Sequence, residues 1–124
     1  MTWYTASLIE TVVMLDSKQS SFPVYENFIL LEAENPKIAL EKAKAIGISV
    51  ETLGEELTLD DKPARRVFVG VRKLITISNP FPMDLDETPP VAETELTYSE
   101  YELATLQEVK ALAAGEKMSV VYVK

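Results

Sequence analysis

Between Trp3 and Leu15 apolar residues occupy both parities: Trp3, Ile9 and Val13 share one, while Tyr4, Ala6, Leu8, Val12 and Met14 share the other. Thr5, Thr11 and the valines favour extended backbone, and the polar run from Asp16 to Ser21 supplies turn chemistry, so the pattern predicts a strand that ends there. The next apolar run, Val24 to Ala33, contains Tyr25, Phe28, Ile29, Leu30 and Leu31 and follows closely enough to pair antiparallel with the first. Asn35-Pro36 then opens a helix: the asparagine caps free N–H groups, and proline at the first helical position gives up a donor that had no partner. Ala39, Leu40, Ala43 and Ile46 form an apolar stripe at helical spacing, with Lys42 and Lys44 toward the negative end of the dipole. The prediction is a helix over Pro36–Ile46, ended by Gly47 in the left-handed region.

From Ile48 to Leu59 the pattern weakens and allows a short strand at Val50–Leu53 or at Leu57–Leu59. Asp60-Asp61-Lys62-Pro63 reads as a turn. Arg66–Ile77 is dense in β-branched residues and predicts a long strand, with Gly70 marking a bulge or a close backbone contact. Asn79–Pro90 holds four of the seven prolines and predicts an extended loop, mobile and open to proteolysis. Leu96 and Tyr98 suggest a short edge strand, Ser99 and Glu102 match a capping box, and Leu103, Leu106, Val109, Leu112 and Ala113 give a second helical stripe ending at Gly115. Met118–Val123 is a final apolar strand. Hairpins separated by helices imply one α+β domain over residues 1–124: a mainly antiparallel sheet with two helices on one face, a two-layer sandwich.

Composition narrows the function. The 124 residues include no cysteine and no histidine, with twenty acids against twelve bases and a net charge of −8. Disulfides, thiolate nucleophiles, Ser-His-Asp and Cys-His catalysis and most zinc or haem ligation therefore have no residues to work with. The acidic balance disfavours nucleic acid and anionic membranes as partners. The N-terminus lacks the basic and apolar regions of a signal peptide, and no apolar run is long enough to span a membrane, so a cytoplasmic chain is expected. No cofactor and no metal site is expected.

Three short motifs carry a resemblance. The opening Trp3-Tyr4-x-Ala6-x-Leu8, the run Leu30-Leu31-x-Ala33 leading to Ala39-x-x-Lys42-Ala43, and Phe68-x-Gly70-Val71 together resemble a bacterial family known as domain of unknown function 4288, over roughly residues 3–74. The resemblance implies a small α+β fold and a bacterial source, and it brings no catalytic residue with it. Beyond Ile77 the chain departs from the family pattern.

The chemistry left to weigh is modest. Asp84-Leu85-Asp86-Glu87 offers oxygens but lacks the spacing of a calcium loop, and a solvated acidic loop accounts for it. Arg65, Arg66, Arg72 and Lys73 make an acid-free basic stretch. One reading is an anion or ligand site built from Arg66 and Arg72 with Tyr4, Tyr25 and Glu10; the plainer one is pairing with acids such as Glu10, Glu26 and Glu32 on neighbouring strands. The aromatic set Trp3, Tyr4, Tyr25, Phe28 and Phe68 suits core packing, with Trp3 as an interface anchor. The leading expectation is a non-enzymatic interaction or structural module; a small-molecule-binding domain or enzyme with a sheet pocket is the alternative. A small acidic chain neutralising a basic protein partner is a third reading, resting on charge alone. Because both parities of the first strand are apolar, one sheet face remains after the helices cover the other. Burying it predicts a homodimer, with Trp3, Ile9 and Val13 at the interface, unless strand bulges and the proline-rich loop cover that face instead.

Overall fold

The computed structural model describes residues 1–52, 57–80 and 89–124. Four strands form one antiparallel sheet in the order β2-β1-β4-β3: β1 is Thr2–Met14, β2 Val24–Ala33, β3 Leu57–Leu59 and β4 Lys62–Thr76. Helix α1, Pro36–Thr52, lies on one face. A two-stranded ladder of β5, Tyr101–Glu102, and β6, Val121–Tyr122, flanks the short helix α2, Leu106–Ala113. The fold is α+β, as the pattern predicts.

The core sits between α1 and the even-numbered side of β1. Tyr4, Ala6 and Leu8 face Leu31 and Ala33 of β2 and Ala39 and Ala43 of α1, with Ile29, Ile38, Phe68, Val71 and Leu74 packed around them. Alanines at the helix contact keep the backbone close to the sheet, where larger side chains would hold it off. Asn35 caps α1 as expected, its Oδ1 accepting from the Ile38 N–H at 2.9 Å.

Helix α1 does not stop at Gly47. It continues to Thr52, and Ile46 points to solvent, so the buried stripe is Ala39, Ala43 and Gly47. The reason is packing: a Cβ on Gly47 would lie 2.4 Å from Cε1 of Phe68. The glycine makes room for a ring and plays no part in a helix stop. Val50, one end of the alternative short strand, is helical, and the strand that forms is Leu57–Leu59. Asp60 and Asp61 both adopt positive φ, 51° and 62°, giving the two-residue turn whose twist suits a tight hairpin.

Strand β4 begins at Lys62, four residues before the expected Arg66, because β3 pairs with its start. Its pairing with β1 shifts register twice, between Ser7 and Leu8 and between Ile9 and Glu10, leaving Arg72 and Val69 as extra residues. Gly70 itself stays paired with Ile9, and the bulge falls beside it. At the Arg72 bulge the Ser7 hydroxyl accepts the Lys73 backbone N–H at 3.1 Å, satisfying a donor that the shifted ladder displaces.

The C-terminal region departs most from expectation. Leu96 and Tyr98 are not in a strand; β5 lies at Tyr101–Glu102, and the final strand shrinks to two residues that pair with β5. Ser99 does not cap α2. The cap is Thr105, whose hydroxyl accepts from the Glu108 N–H at 3.1 Å, and the helix ends before Gly115 at φ 84°. Helix α2 buries no residue. The two helices do not share a face, since segments before and after α2 touch the side of the sheet opposite α1. Thr5 donates to the Leu96 carbonyl, Lys73 donates to the Tyr98 carbonyl, and the Arg72 guanidinium lies 3.4 Å over the Tyr122 ring. Most of Asn79–Pro90, including the acidic run 84–87, lies outside the described residues. At its base, Asn79 accepts from the Thr94 hydroxyl at 2.8 Å and donates to the Pro89 carbonyl at 3.3 Å.

Candidate interaction surface

Strand β2 is an edge of the sheet, and the backbone geometry of β1 fixes which of its groups are free. The Trp3 carbonyl accepts from Ile77, and Leu15 N–H donates to Pro63, so odd residues of β1 turn toward β4. Met14 N–H and the Val12 carbonyl instead bond the Gln19 amide on the other side. Even residues of β1 therefore bond β2, and in the unbroken β1–β2 register they meet Tyr25, Asn27, Ile29, Leu31 and Ala33. The N–H and C=O groups of Val24, Glu26, Phe28, Leu30 and Glu32 point away from the sheet. One of these has a partner: the Lys42 ammonium donates to the Glu32 carbonyl at 2.9 Å. Among the described residues, Val24 to Leu30 is an open edge.

Apart from Glu26 and Asn27, that edge is apolar. Val24 is 63% exposed, Tyr25 53%, Phe28 49% and Leu30 53%. Edge strands are ordinarily guarded by charged side chains, lysine above all, or by proline, bulges or short length; β2 is ten residues long, has no lysine, proline or bulge, and carries Glu26 and Glu32 as its charges. The outer side of β4 is different. Arg65, Arg66, Arg72 and Lys73, two bulges, and the Glu51 carboxylate, which accepts from the Phe68 N–H at 2.9 Å, all obstruct pairing there.

The side of the sheet opposite α1 is divided. Over β1 and β4, and reaching β2 at Glu26, a polar and aromatic cluster ties down the C-terminal segment: Arg72 reaches Glu26 at 3.9 Å, and Lys73 reaches the Ser99 hydroxyl at 3.2 Å and lies 5.5 Å from the Tyr122 ring centroid. The Tyr122 ring meets Tyr101 edge-on at 5.4 Å. Its phenolic oxygen is enclosed by this cluster without a well-aligned hydrogen bond; the neighbouring Lys73 ammonium is the largest influence and draws its pKa below the ordinary value, against desolvation. Over β2, Phe28 and Leu30 remain exposed.

The predicted ligand residues do not form one group. Tyr4 is buried beneath α1, whereas Arg72 is on the opposite face with Glu26, the plainer pairing considered for it. Glu10 is buried and accepts from the Asn27 amide at 2.9 Å, beside Tyr25 in register; Arg66 is exposed across from Val12. Of the predicted interface residues, Trp3, Ile9 and Val13 are all half-buried. The more exposed apolar side chains, Phe28 and Leu30, belong to the next strand, and their signal is a run apolar in both parities with no lysine or proline in it. A shallow groove of about 650 Å³ runs between α2 and β5, past Tyr101, Leu112 and Met118. Among the described residues no cluster of acidic side chains is arranged to hold a metal ion, and no helix is long and apolar enough to cross a membrane.

The model of the DUF4288 family, a domain of unknown function, matches residues 3–85. The chain belongs to this family. The DUF4288 match takes in the whole four-stranded sheet and α1, and it runs past Leu74, where the three motifs end, into the proline-rich segment. The segment from Val91 onward, with β5, α2 and β6, lies beyond it. No curated protein and no solved structure matches the chain significantly.

Proposed function

We propose that this DUF4288 domain is a non-enzymatic protein-interaction module that works as a homodimer, with β2 as its docking element. The observation that carries the reading is the open edge of β2, free of lysine, proline and bulges, with Phe28 and Leu30 exposed beside it on the face opposite α1. Backbone groups left unpaired along such a strand are satisfied when another strand adds to the sheet, and burial of the flanking apolar side chains supplies the driving force. The division of the second face supports the same element: Trp3, Ile9 and Val13 are half-buried in the chain itself, while Phe28 and Leu30 of β2 are exposed. The cytoplasm suits a fold that depends on no disulfide.

Light scattering on a sizing column tests the reading at tens of micromolar chain. The expected mass is that of a dimer, and Phe28→Glu with Leu30→Glu should shift it to a monomer while leaving the circular dichroism unchanged. A monomeric mass for the unaltered chain refutes the homodimer.

A further inference from the structure

We infer that two copies join β2 to β2 antiparallel, around a two-fold axis at Asn27, into one continuous eight-stranded sheet; this rests on the dimer reading and specifies its geometry. A two-fold that pairs a strand with itself gives every pair of facing residues the same number sum. Only the even residues of β2 present free N–H and C=O groups, so even residues must face even residues, and the axis must fall on a residue rather than between two.

Charge then removes most of the choices. An axis at Glu26 sets Glu26 against its own copy, and an axis at Ile29 sets Glu26 against Glu32; like charges directly opposite on adjacent strands are destabilising. An axis at Leu30 sets Phe28 against Glu32 and draws on the Glu32 carbonyl, which Lys42 already occupies. An axis at Tyr25 sets Val24 against Glu26 and leaves Phe28 and Leu30 opposite positions 22 and 20, outside β2. Axes at Asn27 and Phe28 remain.

The axis at Phe28 leaves Leu30 facing Glu26 and Val24 facing Glu32, and its outermost pair again needs the Glu32 carbonyl. The axis at Asn27 uses the free stretch from Val24 to Leu30 and nothing else. It faces Val24 with Leu30 and Glu26 with Phe28 on one side of the sheet, and Tyr25 with Ile29 on the other. Glu26 already has Arg72 beside it, so its carboxylate is not left alone against the phenyl ring. Four pairs of even residues exchange about eight backbone hydrogen bonds in this register.

The chain has no cysteine, so introduced thiols report geometry directly. Val24→Cys and Leu30→Cys are made as separate chains; both positions are exposed, and circular dichroism checks that each variant folds. In the proposed register these two residues face each other at about 5.5 Å between Cα atoms, within the range a disulfide spans. Under mild oxidation, an equimolar mixture is expected to form a covalent dimer of one chain of each kind, up to about half of the protein once subunits have exchanged at random. Either variant alone should give covalent dimer only at background level. If Phe28→Cys alone crosslinks and the mixture does not, the axis is at Phe28 and the inference is overturned. A dimeric mass with crosslinking in neither experiment means the copies meet through another surface: the inference falls and the dimer stands. A monomeric mass removes both.

Discussion

Gly47→Ala should destabilise the protein although it places a better helix former in the middle of α1. In an open helix the change gains about 1 kcal/mol. Here the added methyl meets the Phe68 ring, with Cε1, Cδ1 and Cζ at 2.4, 2.5 and 2.6 Å. Carbon atoms rest at about 3.5–4.0 Å, so the ring must retreat by about 1 Å. The backbone beneath it cannot carry it away, since the Phe68 N–H is bonded to Glu51 at 2.9 Å and β4 is paired with β1 at that point. Overpacking of this kind costs about 1–3 kcal/mol, and so close an overlap belongs in the upper half of that range, leaving a net loss of about 1–2 kcal/mol. The decisive comparison repeats the change in a Phe68→Ala background, where the helix gain of about 1 kcal/mol should appear unopposed, for a coupling of about 2–3 kcal/mol. Urea unfolding followed by fluorescence of Trp3, the one tryptophan, measures all four chains. A stabilised Gly47→Ala, or the same effect in both backgrounds, would refute the packing argument.

Removing the cap of α1 by Asn35→Ala should cost about 1 kcal/mol in the same urea assay, because Oδ1 holds the Ile38 N–H at 2.9 Å. Thr105→Ala should loosen α2 by about 1 kcal/mol, read as faster amide exchange at Glu108, whereas Ser99→Ala should leave that exchange unchanged. In alkaline titration by absorbance, Tyr122 should ionise below the ordinary 10.0, with Tyr122→Phe removing that early step and Lys73→Met moving it upward; no change in Lys73→Met would contradict the assignment. A lowered folded pKa makes the phenolate favour the folded state, so any stabilisation is complete only above pH 10.0 and is lost as pH falls through the folded value.

Local chemistry was legible wherever a residue acts on its own neighbours. Asn35 capping α1, the turn at Asp60 and Asp61, the first hairpin, and Gly115 after α2 each follow from side chains within a few positions. Gly47 hides its role, because a helix-stopping glycine and a glycine that admits a distant ring look alike in sequence; Phe68 lies twenty-one positions away and only the fold brings it there. Ser99 and Thr105 both satisfy the S/T-x-x-E pattern, with Glu102 and Glu108. Tertiary contact decides between them, since Ser99 and Glu102 are taken up by Lys73 and by the β5–β6 ladder. The basic stretch on β4 shows the same limit. Its charge is plain in the sequence, but that Arg72 sits on a bulge and lies over Tyr122 depends on a register shift no local pattern announces.

The second face of the sheet joins these findings to function. Faced only with β1, a sequence reader expects a bare apolar surface and places the partner on Trp3, Ile9 and Val13. The chain beyond the family match covers that middle ground itself, through bonds from Thr5 and Lys73 and the stacking of Arg72 on Tyr122. These contacts gather on β1 and β4 and reach β2 at Glu26, through Arg72, while Phe28 and Leu30 stay exposed beside an open backbone edge. The C-terminal segment thus confines where another chain can dock: a partner lying flat across the sheet would have to displace it, whereas a strand adding to β2 meets no obstacle among the described residues. Edge addition is the mode of association that this cover leaves available, and it is also the mode that uses the unpaired N–H and C=O groups of β2.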